Sequence, residues 1–216
     1  LERSQVVASG AIDVTATTTP VITTASTVGA VSISFGAAIA AATSETEINS
    51  TTQASVDGSR LTATGHAVNV AATGVSSAFS VIEGLSAGLV GASSLSATDA
   101  IKGETKAWLA GATTVAAADL RVTATDTNRA TPKTYTNAGG LFAGGGSYTT
   151  LKISRTTAAE VTGSSDVTLD AGGLTLLATS ATYGAGFSSQ KSGGFVDIGV
   201  LDVTSTLDNK TLAGIA

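Results

Sequence analysis

The chain has 216 residues and a formal net charge of −5 at pH 7, with only 11 Lys and Arg residues. This length suits one all-β domain or one short repeat array, and the few basic residues exclude a phosphate-binding face for nucleic acid. Hydrophobic residues make up 43% of the sequence, which excludes a disordered tail, and the absence of cysteine excludes disulfides and thiolate metal sites.

The amino-terminal segment, residues 1–4, has neither an initiator Met nor the basic start of a signal peptide. We therefore expect the sequence to be an excised part of a longer protein. The most apolar stretch, residues 28–42, is interrupted by serines and is too short to span a bilayer, so it is interpreted as a pair of buried strands. The alternation of Ser32, Ile33 and Phe35 favours strand over helix in this stretch.

Three short patterns recur along the chain. The first is apolar-x-apolar-x-Ala, and its second apolar residue occupies positions Val14, Val70, Val122 and Leu176. The second is Thr-x-Ala followed two residues later by Val, Leu or Ile, and its Thr and Ala occupy Thr52 and Ala54, Thr105 and Ala107, Thr157 and Ala159, and Thr211 and Ala213. The third is a glycine six residues after that Thr, at Gly58, Gly111 and Gly163.

The spacing of these patterns is nearly constant. Successive threonines are separated by 105−52 = 53, 157−105 = 52 and 211−157 = 54 residues. The distance from the first pattern to the threonine is 35 residues in three copies (105−70, 157−122, 211−176) but 52−14 = 38 in the first copy, which predicts a three-residue insertion near Pro20. A fixed period of this length is the sequence signature of a repeat architecture.

Each unit is predicted to consist of strands and glycine turns. Apolar and polar residues alternate with a period of two, and Thr, Ser and Val favour strands over helices. Glycine-containing breaks are predicted at Gly29, Gly84, residues 139–140 and residues 193–194. A unit then reads as a long strand, a glycine turn, a second long strand, a second glycine turn, and a short strand that carries Leu61, Val115 or Val167.

The sequence therefore predicts an all-β fold, an elongated β-solenoid or β-helix with about four units of about 53 residues. Stacked antiparallel hairpins are the alternative, because both arrangements give the same alternation. We predict a single array over residues 1–216, with approximate units 5–60, 61–115, 116–168 and 169–216. Its ends would be open sheet edges that pair with neighbouring repeats of the same parent chain or with other copies.

These units resemble the β-strand repeats of giant bacterial surface and secreted proteins, the filamentous haemagglutinin-like adhesins and the leukotoxin-type exoproteins. The matching features are the apolar-x-apolar-x-Ala start, the Gly-rich and Ala-rich middle, and the Thr-x-Ala-x-Val end with its following Gly, and they cover nearly the whole chain. The resemblance implies a secreted or cell-surface stalk that holds an adhesive or toxic tip away from the cell. It brings no catalytic residues with it.

Candidate catalytic and metal-binding residues are sparse. His66 is the single histidine and is predicted to be an exposed loop residue rather than a catalytic base. Glu45 and Glu47 share one strand face, which suits a solvated strand edge better than the paired acids of a glycosidase. The acid-rich calcium-binding repeats are absent, so we predict no catalytic residue, no metal site and no cofactor, with calcium at the Asp57-Gly58 turn as an unsupported alternative.

Aromatic residues are the remaining candidates for binding. Trp108 occupies an outward position and is predicted to pack against a neighbouring repeat. Six others lie near the glycine turns of the last two copies and are predicted to fill gaps there, with a weak binding patch as the alternative: Tyr135, Phe142, Tyr148, Tyr183, Phe187 and Phe195.

We predict a non-enzymatic structural stalk or passenger segment of a secreted or cell-surface adhesin or filament. The first alternative is a glycan- or surface-binding β-repeat module, because a flat Thr-rich face suits such ligands; ice is disfavoured since the outward positions vary among Asp, Asn, Arg and Thr. The second is a β-helical polysaccharide-active enzyme, for which the acids, bases and aromatics are too sparse. Membrane insertion is not predicted.

Overall fold

The computed structural model describes residues 1–32 and 36–216, which form strands and turns, with no helix in these ranges. The described residues therefore include no helix that could cross a membrane. The alternation predicted at Ile33 and Phe35 lies outside the described residues. The strands in chain order are β1 (Gln5–Val7), β2 (Ile12–Thr18), β3 (Val21–Val31), β4 (Ala37–Asp57), β5 (Arg60–Ala87), β6 (Val90–Ala110), β7 (Thr114–Gly139), β8 (Phe142–Val161), β9 (Asp166–Leu169), β10 (Leu174–Gly184), β11 (Phe187–Gly193) and β12 (Val196–Ile215).

The strands divide between two sheets. The first sheet has eight strands, with β5 and β7 side by side at its centre. β1, β2 and β3 lie one after another along the free side of β5, and β9, β10 and β11 lie in the same way along β7. The second sheet has four strands in the order β12-β8-β6-β4. The chain therefore alternates between the sheets, and each long strand pairs with a strand one unit away in sequence.

The fold class predicted from the sequence is wrong. Every described strand pair is parallel, which overturns the hairpin alternative, and the strands form two separate sheets of eight and four strands instead of a β-solenoid stack. The long dimension also lies along the strands. The 28 residues of β5 extend over about 90 Å, whereas four paired strands span only about 15 Å. Wholly parallel sheets are typical of α/β proteins, but here a second sheet covers the face that helices would cover.

The register locates the predicted insertion elsewhere. Val31 pairs with Ala87, an offset of 87−31 = 56, and Ala37 pairs with Val90, an offset of 90−37 = 53. The offset is 56 on both sides of Pro20, because β2 and β3 keep the same register along β5. The three extra residues therefore lie between Val31 and Ala37, and the position predicted near Pro20 is wrong.

Two of the predicted glycine breaks are also misplaced. Gly29 and Gly84 lie inside β3 and β5, whereas the second and later units turn at residues 88–89, 140–141 and 194–195. Gly84 has a packing role, because a Cβ atom built on it would lie 2.9 Å from both methyl carbons of Leu95 on the facing sheet. This glycine makes space for a side chain and does not terminate a strand.

The core lies between the two sheets and is divided along the strands. The largest apolar cluster includes Val56 and Leu109 of the four-stranded sheet and Leu61, Val70 and Val122 of the eight-stranded sheet, all of them fully buried. Two smaller clusters lie further along the strands, around Ile101 and around Leu95. Buried hydroxyl and charged side chains separate the clusters, so the interior alternates between apolar and polar layers.

Candidate functional site

The recurring residues identified in the sequence lie in ladders. In the eight-stranded sheet, Val14 pairs with Val70, Val70 with Val122, and Val122 with Leu176. In the four-stranded sheet two further ladders run side by side, one through Thr52, Thr105, Thr157 and Thr211 and one through Ala54, Ala107, Ala159 and Ala213. Their inner members are buried between the sheets. Identical side chains thus stack at the 4.8 Å spacing of neighbouring strands.

The recurring glycines form the turns that carry the chain from one sheet to the other. Gly58, Gly111 and Gly163 have φ angles of 53°, 63° and 76°, which L-residues with a side chain rarely adopt. A Cβ atom on Gly111 would also overlap the carboxylate of Asp57 in the preceding turn. Leu61, Val115 and Val167 follow these turns and are Cα partners, but only Val167 lies on a separate short strand.

A buried ion pair lies in the polar layer beside the largest apolar cluster. Arg155 of β8 donates from Nη2 to Asp126 Oδ1 at 2.8 Å and from Nε to Asp126 Oδ2 at 3.1 Å. Its Nη1 donates to the carbonyl oxygens of Ser50 at 2.6 Å and Lys102 at 2.8 Å, and its Nη2 also donates to Thr105 Oγ1 at 3.0 Å. All five N–H groups of the guanidinium therefore have acceptors, which leaves none for a ligand.

Two glycines make room for this ion pair. A Cβ atom on Gly74 would lie 2.6 Å from Asp126 Oδ1 and would overlap Thr105 Oγ1. Gly103 has a φ of 111°, and a Cβ atom there would overlap the carbonyl oxygen of Ser50 and lie 2.8 Å from Arg155 Nη1. The network is enclosed by the backbone at Gly74 and Gly103, and its hydrogen bonds join the two facing sheets.

Sequence reasoning missed this ion pair, although a signal was present. Asp126 is in phase with Val122 and Ala124, and Arg155 is in phase with Thr157 and Ala159, so both charged residues occupy inward positions of their strands. An acid and a base on inward faces predict a buried pair, because a charge is rarely buried without a partner. The similarity between units could not reveal it, since the other units have no such pair.

Asp99 is a second buried acid, on β6. Its Oδ2 accepts a hydrogen bond from the backbone N–H of Thr131 at 3.1 Å, whereas Oδ1 is buried without a partner. Burial raises the pKa of this carboxyl, and this effect outweighs the lowering by the nearby hydroxyls of Ser80 and Thr46 and by the backbone N–H of Thr131. Asp99 is completely buried between the sheets.

The outer face of the eight-stranded sheet carries an aromatic and basic patch. We call it the outer patch and define it as Phe79, Arg129, Lys133, Tyr135, Tyr183, Phe187 and Lys191. The rings of Tyr135 and Phe187 are 5.4 Å apart at an interplanar angle of 45°, and the guanidinium of Arg129 lies 5.7 Å from the centroid of Phe79. Shallow grooves border the patch beside Tyr183 and between Glu83 and Lys191. Arg129, Lys133 and Lys191 lie in the patch and Glu83 lies at its border, so the local charge is positive.

The structure brings together only part of the predicted aromatic cluster. Tyr135, Tyr183 and Phe187 share the outer patch, and Phe79 joins them although sequence reasoning passed over it. The other four described aromatics lie elsewhere: Phe142 and Tyr148 on β8, Phe195 in the turn before β12, and Trp108 on β6 between Ser55 and Glu160. The cluster was inferred from nearness to turns, which does not specify the sheet.

The other sequence candidates remain apart from one another. His66 follows Gly65, which has a φ of 72°, in a bulge where the register of β5 against β7 shifts, and it is exposed. Glu47 forms a surface ion pair of 3.1 Å with Lys102. Within residues 1–32 and 36–216, no three His, Asp or Glu side chains are grouped in a way that would hold a metal ion.

Both sheets end in open edges. We call β1, β2, β3 and β4 the leading edge and β9, β10, β11 and β12 the trailing edge. β12 pairs only with β8 among the described strands, and it is exposed over almost its whole length. Its apolar residues include Leu207, which is 53% exposed, and Ile215, which is 71% exposed.

No family model, curated protein or solved structure matches the chain. The functional argument therefore rests on the ladders and the outer patch.

Proposed function

We propose that this chain is a structural spacer, a stalk or passenger segment of a secreted or cell-surface adhesin or filament. The observation that supports this proposal best is the stacking of identical inward residues through successive strands, such as Val14, Val70 and Val122. The facing sheet buries the apolar face of each strand, and neighbouring strands pair edge to edge, so the arrangement extends by addition of strands to both sheets. The buried polar network adds rigidity because Arg155 connects three strands of one sheet to the facing sheet.

The spacer proposal is tested by the solution shape and the metal dependence of the chain. We expect small-angle scattering to give a flat particle about 90 Å long, and we expect the midpoint of denaturant unfolding to be the same with calcium and with a chelator. A compact, near-spherical particle would contradict the proposal. A large rise of the midpoint with calcium would contradict it too, because it would indicate a metal-dependent site.

A second candidate function is the binding of an acidic glycan by the outer patch. Exposed rings such as Tyr183 and Phe187 offer flat apolar faces for sugar rings, and Arg129, Lys133 and Lys191 offer charge for carboxylate or sulfate groups. The pairing of rings with bases on one face favours this ligand class over a neutral glycan. The patch is on the outside of the sheet, so binding there is compatible with the spacer function.

The glycan proposal is tested by titration of the chain with a uronic-acid oligosaccharide, followed by fluorescence or calorimetry. We expect Phe187→Ala and Lys191→Ala each to weaken binding by about tenfold, a loss of about 1.4 kcal/mol. Phe195→Ala is the matched control, because Phe195 is 87% exposed and lies in a turn outside the patch. Equal affinity of all three variants, or no binding by the wild-type chain, would exclude this function.

A further inference from the structure

We propose that one end of the two-sheet sandwich contacts the surface of a lipid bilayer with neutral, zwitterionic headgroups. The proposal goes beyond the spacer function and does not depend on it. The long strands place two sets of turns at opposite ends of the sandwich. The turns after β5, β7 and β11 lie at one end, and the turns after β4, β6 and β8 lie at the other.

The two ends differ in their chemistry. The turns after β4, β6 and β8 consist of small and polar residues, at positions 58–59, 111–113 and 162–165. At the opposite end, each turn has a glycine followed by two large apolar residues, and these glycines lie 140−88 = 52 and 194−140 = 54 residues apart. We call the six apolar residues the apolar ridge: Leu89 and Val90, Leu141 and Phe142, Phe195 and Val196.

The ridge is exposed although its residues are apolar. The exposed fraction is 36% for Leu89, 41% for Val90, 49% for Leu141 and 47% for Phe142. The strands that follow these two turns, β6 and β8, have paired neighbours on both sides. The exposure therefore belongs to the end of the sandwich and not to the sheet edges, and further units would lengthen the ridge. Contiguous exposed apolar surface of this kind marks a site of contact with protein or membrane.

The backbone of the ridge is paired from turn to turn. Phe142 donates its N–H to the carbonyl oxygen of Leu89 at 3.1 Å, and Phe195 donates to the carbonyl oxygen of Leu141 at 2.9 Å. An apolar environment cannot supply hydrogen bonds to backbone groups, so each unpaired group would be costly there. These pairings remove part of that cost, because the groups already have partners when the ridge leaves water.

The ridge lies within uncharged segments of the chain. Residues 84–98 and 134–151 contain no Asp, Glu, Lys or Arg. Beside the third turn the nearest charged residues are Lys191 and Asp197, which have opposite signs. Anionic headgroups are recognised by clusters of Lys and Arg, and these segments offer no such cluster. The absence of charge at the ridge therefore matches a neutral, zwitterionic surface.

The dimensions of the ridge favour a lipid surface over a protein partner. Its six side chains are far fewer than the roughly 20–30 residues that a stable protein interface has on each side. Two residues of extended chain reach about 7 Å, within the depth of about 5–10 Å to which peripheral apolar surfaces enter the headgroup boundary. A bilayer also adapts to a ridge of any length, so each unit contributes to the contact separately.

Contact through the ridge would orient the chain on the bilayer. The strands would stand upright with only the ridge in the headgroup region, and the polar turns would point away from the lipid. The contact is peripheral, so no strand crosses the bilayer. Trp108, the single tryptophan, also lies on β6 but 108−90 = 18 residues beyond Val90. This separation places it about 60 Å from the ridge.

The first experiment is flotation of the chain with vesicles of phosphatidylcholine, a zwitterionic lipid. We expect the wild-type chain to float with the vesicles equally at low and high salt, because the contact is apolar. The double variant L141S/F142S should bind at least about tenfold more weakly, since it removes a third of the ridge. The matched control is L177S/Y183S, which replaces two exposed side chains on the outer face of β10 and should bind like wild type.

The second experiment locates the contact by quenching of tryptophan fluorescence with brominated phosphatidylcholine. The double variant F142W/W108F carries its one tryptophan on the ridge, whereas the wild-type chain carries it at Trp108. We expect the fluorescence of F142W/W108F to be quenched and that of the wild-type chain to be unaffected. This comparison distinguishes end-on contact from a chain that lies flat on the lipid, because a flat orientation would quench both proteins.

The proposal is overturned if the wild-type chain does not float, or if L141S/F142S floats as well as wild type. Equal quenching of the two proteins would overturn it too, as would binding that needs anionic lipid and is lost at high salt. Self-association without flotation, abolished in L141S/F142S, would assign the ridge to a second copy instead. None of these results bears on the spacer proposal, which is tested by the shape and calcium dependence of the chain.

Discussion

Arg155 donates two hydrogen bonds to the carboxylate of Asp126, at 2.8 and 3.1 Å, and both side chains are completely buried. Asp126 also accepts from Thr105 Oγ1 at 2.9 Å and from Asn128 Nδ2 at 2.6 Å. The pair connects the four-stranded sheet to the eight-stranded sheet. Because the desolvation cost of a buried pair offsets most of its attraction, the pair is expected to add little stability relative to an apolar pair of similar volume.

We expect Arg155→Met to lower the free energy of unfolding by about 3–5 kcal/mol, since it leaves the Asp126 carboxylate buried without a cation. Denaturant titration measures this loss. The double variant R155M/D126L should regain most of the stability, because an apolar pair of similar volume needs no compensation. Lys102→Met is the matched control: its ion pair with Glu47 is on the surface, so the change should stay within about 1 kcal/mol. A double variant no more stable than R155M would contradict this view of the pair.

We expect Gly103→Ala to destabilise the protein by at least about 2 kcal/mol, because the residue has a φ of 111° and its new Cβ atom would overlap the Ser50 carbonyl oxygen. Gly214→Ala on β12 is the control, since a Cβ atom there has no neighbour within 4 Å. Its effect should lie within about 1 kcal/mol. Thermal or denaturant unfolding of both variants checks the difference, and equal effects would show that the backbone at Gly103 adjusts easily.

Asp99 predicts a specific dependence of stability on pH. Burial raises the pKa of its carboxyl in the folded chain above the ordinary value of 3.8, so the unfolded chain ionises first as the pH rises. The associated stability is complete below pH 3.8 and is lost as the pH rises through the folded-state pKa.

Asp99→Asn cannot ionise and should be free of this loss. We therefore expect the unfolding free energy of Asp99→Asn, relative to wild type, to increase as the pH rises from about 4, and then to level off above the folded-state pKa. Denaturant titrations at a series of pH values measure this difference. A difference that is constant with pH, or that decreases, would show that Asp99 is not the group responsible.

We expect Leu120→Ala to lower the free energy of unfolding by about 2–5 kcal/mol, because the side chain is fully buried in the largest apolar cluster. Leu177→Ala is the control on the same sheet, at an outward position that is 53% exposed, and should change stability by less than about 1 kcal/mol. Unfolding midpoints of both variants provide the measurement. Similar losses at the two positions would contradict the assignment of inner and outer faces.

The recurring positions of the ladders could be predicted from the sequence, because stacking imposes the same environment on the same position of every unit. Thr52, Thr105 and Thr157 lie opposite one another, so their spacing was visible without any structure. Whether neighbouring strands pair in parallel or antiparallel could not be predicted from the sequence. A two-residue alternation describes only which face of a strand is buried, and it is identical whether the neighbouring strand runs parallel or antiparallel.

The candidate sites were less predictable for a different reason. Arg155 and Asp126 occur in single units, so a search for repeated residues passes over them, although their inward phase was a sufficient signal. The aromatic patch was predicted only in part, since Tyr135 and Phe187 lie 52 residues apart (187−135) and meet through strand pairing. Such a contact depends on register, and register became clear only from the paired strands.

The pairing of each long strand with another a full unit away has a consequence for how the chain folds. Closing the first ladder requires a loop of about fifty residues, and the described strands include no hairpin that could begin the process locally. Folding dominated by distant contacts is slow, so refolding after dilution from denaturant is expected to take milliseconds to seconds or longer. During that time each unpaired strand meets similar strands from other chains, and a dilute solution should therefore give more correctly folded protein than a concentrated one.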